Sequence, residues 1–293
     1  MYISDTVASP PDLFPLNSPG SVSPALLLRL PYIPLPPPSR CSTSDVQNFK
    51  SVTLGIPHDG ISKAVVISCW GRWSRFNLRY LSLLSLIYSR FQVVPDPPRV
   101  VFVFSRWSHV PSSHVDTLRR ALSSPANLTA SPIPSSAILV LPLQKQQEHA
   151  LLACSFDVHV DTLPVGGHVT VGDALAGGSN VVTVGGEGMC GRYAASLGVH
   201  LGCNRCSRSG SGSGVFVAID DDNAADAIVA LALRNSAQQR QQSHLWYDYS
   251  HERQQLRYWN QLEAGIKMAL DQQYRVEQRR QKLLYSTVVA NEQ

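Results

Sequence analysis

The sequence is poor in charge. Asp, Glu, Lys and Arg make up 16% of it, so much of its polar surface must come from Ser, Thr, Asn and Gln. The balance of signs is also slight, net +4 from 25 basic and 21 acidic residues. That field is too weak to mark a nucleic-acid or membrane surface, and neither partner is expected. No apolar run is long enough to cross a bilayer. The first residues, MYISDTVASPPDLF, lack a basic start and an apolar core, so no secretory signal is expected. Cysteine is sparse: six in 293 residues do not make a disulfide framework, which points to a reducing compartment. There is no tandem repeat.

What is present is a regular alternation of apolar runs and helical patterns. Residues 1–45 are rich in Pro and Ser and end in PLPPPSR, so this leader is expected to be mostly extended or disordered. Its one apolar piece, Leu26 to Leu35, is a candidate for docking on a core. From there the spacing predicts strands at Ala64–Trp70, Arg99–Phe104, Ala137–Leu141, Val158–Thr162, Asn180–Val184 and Val215–Ala218. Helices are predicted between them: one capped by Asn77 and stopped by the PDPP run, then His114–Leu122, Lys145–Ala153, Thr170–Ala176, and one from Ala194. Asp222 is the expected cap of another, through Leu233. A last helix from Arg253 places Leu256, Trp259, Leu262, Ile266 and Leu270 on one stripe. This order predicts an α/β fold with a Rossmann-like, doubly wound parallel sheet. The folded part is expected over 46–285, with a flexible Ser/Gly insert at 207–214 and a tail at 286–293.

Chemistry concentrates in Asp157–Ser196. The turn Gly166-Gly167-His168-Val169-Thr170 lies between a strand and a helix. Glycine lets backbone amides come close to a ligand, and the helix N-terminus favours a diphosphate. His168 and Thr170 can donate to phosphate oxygens, and Asp173 can accept from a sugar hydroxyl. The same turn also serves as a plain strand-to-helix connection with a capping Thr. Arg72 and Arg75 lie in the loop after the first strand, interleaved with Trp70 and Trp73. That loop falls at the carboxyl edge of the sheet, where a cation can neutralise a leaving diphosphate, or it is simply an exposed basic loop. His149 reads from pattern alone as a surface or capping residue. His200, Cys203 and Cys206, with Cys190 upstream, approach zinc-ligand spacing, but no second Cys-x-x-Cys pair exists. Idle thiols are the default, and no metal is expected. The acidic run Asp220–Asp222 reads as a loop and helix cap.

Taken together, Glu148-His149, then DVHVDTLPVGGHVTVGDAL, VVTVGG and GRYAASLG resemble the C-terminal catalytic lobe of protein O-GlcNAc transferases and their SPINDLY-like relatives. Weaker similarity runs from LLRLP near Leu27, through LGIPHDG at 54–60, to the helix around Leu262-Glu263. The resemblance implies the C-terminal lobe of a GT-B glycosyltransferase over 46–285. It implies inverting, metal-independent transfer of N-acetylglucosamine from UDP-N-acetylglucosamine to Ser or Thr of nuclear and cytosolic proteins. No cofactor is then needed beyond the donor substrate. It further implies that Gly167, His168 and Thr170 meet the diphosphate, that Asp173 holds the ribose, and that His149 lines the uridine pocket. The family's essential Lys falls on Arg75 when the strands are aligned, or on Leu81 when Phe76-Asn77 is used instead; Arg75 is favoured because it keeps the residue on the loop and Asn77 at the helix start. An Arg keeps the charge with a different geometry. Val169 replaces the first Thr of the family's Thr pair, which removes one phosphate donor. The family's first lobe and helical repeats have no counterpart in the sequence, so the chain is either one lobe of an enzyme or a transferase-like binding module.

Overall fold

A computed structural model describes residues 41–106, 110–124, 130–186, 191–198 and 214–234, with backbone alone at 2–5, 25–28 and 199–200, and scattered helical positions from 260 to 278. Near the N-terminus two short strands, β1 (Tyr2–Asp5) and β2 (Ala25–Leu28), pair in parallel. The body follows as α1 (Thr43–Val52), β3 (Ala64–Ser68), α2 (Leu78–Gln92), β4 (Arg99–Arg106), α3 (Ser112–Ser123), β5 (Ile138–Pro142) and α4 (Gln146–Ser155). After these come β6 (Val158–Val160), α5 (Val169–Ala176), β7 (Asn180–Val184), α6 (Tyr193–His200), β8 (Val215–Ala218) and α7 (Asp221–Arg234).

The six strands β3 to β8 form one sheet in the order β5-β4-β3-β6-β7-β8, every neighbour parallel. This is the expected Rossmann-like, doubly wound arrangement, and its winding reverses between β3 and β6. Apolar residues on both faces of each central strand bring helices to both sides. One face packs Ile67, Phe102, Phe104 and Val160 under α2, α3 and α7, through Leu84, Ile87, Leu122 and Ile228. The other packs Val66, Val101 and Val103 under α1 and α4, through Phe49 and Leu152. Farther along that face, Val181 and Val215 lie under α5 and α6.

Several boundaries differ from expectation for local reasons. Strand β6 stops at Val160 because Asp161 turns into the following loop. α7 starts at Asp221, so the cap is Asp220, whose Oδ1 accepts from Asn223 N at 2.7 Å, and not Asp222. Asp222 instead pairs with Arg90 across to α2 at 2.7 Å. Helix α1, capped by Ser42, begins at Thr43, three residues before the expected edge of the folded part. A disulfide joins Cys41 to Cys154 and ties the start of α1 to α4, a link where none was expected. Ile266, predicted on an apolar stripe, is exposed; the other stripe residues lie outside the described residues. So do Cys190, Cys203, Cys206 and most of the Ser/Gly insert, with only backbone described at His200.

An ion pair is sealed beneath β3. Lys50 Nζ lies 3.8 Å from Asp157 Oδ2, both side chains about 4% exposed. The same oxygen accepts from Val66 N at 2.7 Å, and Asp157 N donates to Val66 O. Asp157 therefore ties α1 to the β3–β6 pair. Removing the carboxylate leaves both a buried ammonium and an unpaired amide, so Asp157→Ala is expected to cost about 3–5 kcal/mol. Urea unfolding checks this; a loss below about 1 kcal/mol would contradict the tie.

Candidate functional site

At the reversal between β3 and β6, the connections leave in opposite directions and open a crevice at the carboxyl edge. The β3–α2 loop, residues 69–77, goes to one face. The β6–α5 loop, residues 161–168, goes to the other. The two loops nevertheless touch. Asn77 caps α2 with its Oδ1, which accepts from Tyr80 N at 2.9 Å, while its Nδ2 donates to Leu163 O. The Arg75 guanidinium donates to Gly166 O. Arg75 is thus half-buried against the glycine turn, 91 residues away in sequence. Leu81, the alternative position, is buried in the core under α2.

Asp161 lies under that turn and is 1% exposed. Its Oδ1 accepts from Thr162 N at 2.9 Å and from Gly167 N, and its Oδ2 accepts from Thr183 Oγ1 at 2.9 Å. A Cβ on Gly167 would collide with Thr170 Oγ1 and come within 3.3 Å of Asp161 Oδ1, so only glycine fits there. The Gly167 N–H is engaged by Asp161. What this residue contributes to the crevice is space, rather than the phosphate donor the sequence suggested.

His168 stands at the start of α5, half-buried, its ring 4.6 Å from that of Tyr193 on α6. Burial and then the charge of Arg75 lower its pKa, which favours the neutral imidazole. Thr170 Oγ1 is shielded from solvent and has no partner. Val169, between them, is 63% exposed and presents methyls where a hydroxyl would donate. One turn on, Asp173 Oδ2 lies 3.1 Å from His149 Nε2. The His149 ring stacks on Trp70, centroids 4.6 Å apart and planes 15° apart. The structure therefore brings Arg75, Gly167, His168 and Thr170 to one turn, and Asp173 and His149 to each other beside it.

Sequence reasoning passed over Asp161, Thr183, Trp70 and Tyr193 as site residues. Asp161 had a signal, an acid directly after an apolar strand and before a Gly-Gly turn. Thr183 and Tyr193 had none, because their relevance comes from neighbouring strands and helices. Below the crevice, Ser68 Oγ and His159 Nδ1 are 2.9 Å apart across the β3–β6 pair. His159 Nε2 and Trp70 Nε1 are buried without partners.

No protein-family model matches the sequence, and no curated protein matches it. Solved structures do. A mutant of the O-GlcNAc transferase of Thermobaculum terrenum is 20% identical, with a TM-score of 0.67 over 91% of this chain and 44% of that one. An alpha,alpha-trehalose-phosphate synthase (UDP-forming) from Burkholderia vietnamiensis is 15% identical at TM-score 0.48, covering 77% of this chain and 50% of that one. A glycosyltransferase from Rickettsia africae is 9% identical at TM-score 0.49, over 77% and 54%. The chain thus spans about half the length of the structures it is similar to. At such identities the first likeness establishes the fold: a Rossmann-like parallel sheet as found in GT-B glycosyltransferases.

Two buried groups at the crevice floor oppose each other in pH. Burial lowers the His159 pKa to about 3, well under the ordinary value near 6.5. The unfolded chain then binds more protons between those values, so this group makes stability rise with pH. Burial raises Asp161 to about 6, against its hydrogen bonds from Gly167, Thr183 and Thr162 and the charge of Arg75. Its contribution is full below an unfolded value near 4 and is lost as pH rises through 6. From pH 5 to 7 the histidine adds about 2 kcal/mol and the aspartate removes about 1. Relative to the wild-type chain, His159→Gln is therefore expected to gain about 2 kcal/mol less unfolding free energy over that interval. Urea unfolding of both proteins at the two pH values measures it; a variant with the wild-type pH dependence would contradict the assignment.

Proposed function

We propose that the chain binds UDP-N-acetylglucosamine in this crevice and supplies the donor side of an inverting transfer of GlcNAc to Ser or Thr hydroxyls of cytoplasmic or nuclear proteins. The observation that supports it best is the meeting of Arg75 with the Gly166-Gly167-His168 turn at the carboxyl edge. A diphosphate there would lie at the N-terminus of α5, where the helix dipole favours anions. His168, as a neutral ring, offers an N–H donor. Thr170 Oγ1, unpartnered, has a proton to give. Arg75 would oppose the charge that grows on the leaving diphosphate as the glycosidic bond breaks, which helps only if it is stronger in the transition state than before it. Asp173 would accept from ribose hydroxyls, exchanging part of its bond to His149, whose ring lies beside it as a surface for the base. No metal is needed in this scheme, because Arg75 and α5 supply the positive potential. In a reducing compartment Cys41 and Cys154 would be held as thiols.

The second reading is a binding module that holds a UDP-sugar or a protein without transfer. Exposed Val169 in place of a donor favours it. Transfer from radiolabelled UDP-N-acetylglucosamine to protein separates the two: UDP binding without transfer supports the module. In both, His168→Ala is expected to weaken UDP binding by about tenfold or more, the loss of one or two hydrogen bonds to a charged group. Calorimetric titration with UDP measures this, and unchanged affinity in that variant would rule out the assignment of the turn. Arg75→Ala is expected to lower transfer by about 100-fold while changing UDP affinity far less. Equal losses in both would assign Arg75 to binding alone.

A further inference from the structure

We propose that Asp161 is the positioning residue of the glycine turn: it sets where Gly167, His168 and Thr170 stand relative to Arg75, and so governs the grip on a diphosphate. This rests on reading the turn as the diphosphate site.

The geometry supports it in four ways. First, α5 has no side-chain cap hydrogen bond at His168, so the start of the helix is not located by its own N-cap. Second, one carboxylate oxygen accepts from Thr162 N and from Gly167 N, the two ends of the loop, and so closes it on itself. Third, the other oxygen is bound by Thr183 Oγ1 on β7, which references the loop to a rigid strand rather than to solvent. Fourth, Arg75 holds the next carbonyl, Gly166 O, and its charge acts on Asp161. The turn is thereby held from below by an anion and from the side by a cation. Asp161 is 1% exposed, so removing the carboxylate takes a buried acceptor from two amides and the Thr183 hydroxyl at once. Asp161 itself touches no ligand; it acts through the turn.

Asp161→Asn is nearly isosteric. Its uncharged carbonyl oxygen accepts from the two amides more weakly than a carboxylate, and its NH2 group must reverse the bond to Thr183, donating to Oγ1 where the carboxylate accepted. Thr183→Val cuts the same tie from the strand side and serves where the first variant does not fold. Both are compared with the wild-type chain by titration with UMP and with UDP, because misplacement of the turn should affect the second phosphate and spare the rest of the nucleotide. The UDP-to-UMP affinity ratio is expected to fall about tenfold in Asp161→Asn and about threefold in Thr183→Val. An unchanged ratio in folded variants overturns the proposal. The Gly167 amide gives a readout that needs no nucleotide. In the wild-type chain its NMR signal should shift with a midpoint near the Asp161 value of about 6 and exchange slowly. In Asp161→Asn the shift should be abolished and exchange accelerated. If the wild-type chain fails to bind UDP, the nucleotide reading fails by itself, and the amide still decides the positioning: signals alike in both proteins overturn it.

Discussion

The site depends on the seam between β3 and β6. Their ladder is short, with only Ile67↔Val158 and Ser68↔His159 in register. Side chains extend it at both ends. Below, Asp157 accepts from Val66 N and holds Lys50. Above, Tyr80 donates to Val160 O, Asn77 to Leu163 O and Arg75 to Gly166 O. These ties hold the two loops together where the winding of the sheet reverses, which is where a doubly wound sheet places ligands.

Electrostatics at the crevice is arranged in layers. Asp161 lies beneath the glycine turn, Arg75 beside it, and the Asp173–His149 pair one helical turn away. Burial opposes charge on the carboxyl, while the amides and the arginine favour it. The same arginine, with burial, keeps His168 toward the neutral form. An arriving diphosphate would meet a cation and a helix N-terminus first, with the buried anion set back behind the backbone. Under the proposed function, binding is then an exchange of partners already in place, which is the general condition for preorganised stabilisation of a leaving group.

The framework outside the crevice is carried by separate ties. Arg79 and Arg90 on α2 reach Asp221, Asp222 and Asp226 on α7, which packs those helices across one face. These pairs are partly exposed and each adds little stability. The apolar layer under them, Leu84, Ile87 and Ile228, does more. On the other face, Cys41–Cys154 and Lys50–Asp157 fasten α1, a helix that nothing in the pattern of the leader announces.

The sequence by itself determined the succession from β3 to α7, because apolar periodicity and caps such as Asn77 act over a few residues. It also determined the glycine turn, because Gly-Gly between an apolar strand and a helix has few other uses. Residue types at one loop, His168 and Thr170, were legible for the same reason. Tertiary structure alone decided which distant groups meet that turn. Loop position and the Asn77 cap already favoured Arg75 over Leu81, but its contact with Gly166, and the proposed role of Asp161 through Thr183 on the neighbouring strand, needed the fold. The cap of α7 was misplaced by two residues because three adjacent aspartates carry the same local signal, and only Arg90 on another helix distinguishes Asp222. Such contacts join residues separated by twenty to more than a hundred positions, and no local pattern encodes which of several equivalent side chains the fold will bring together.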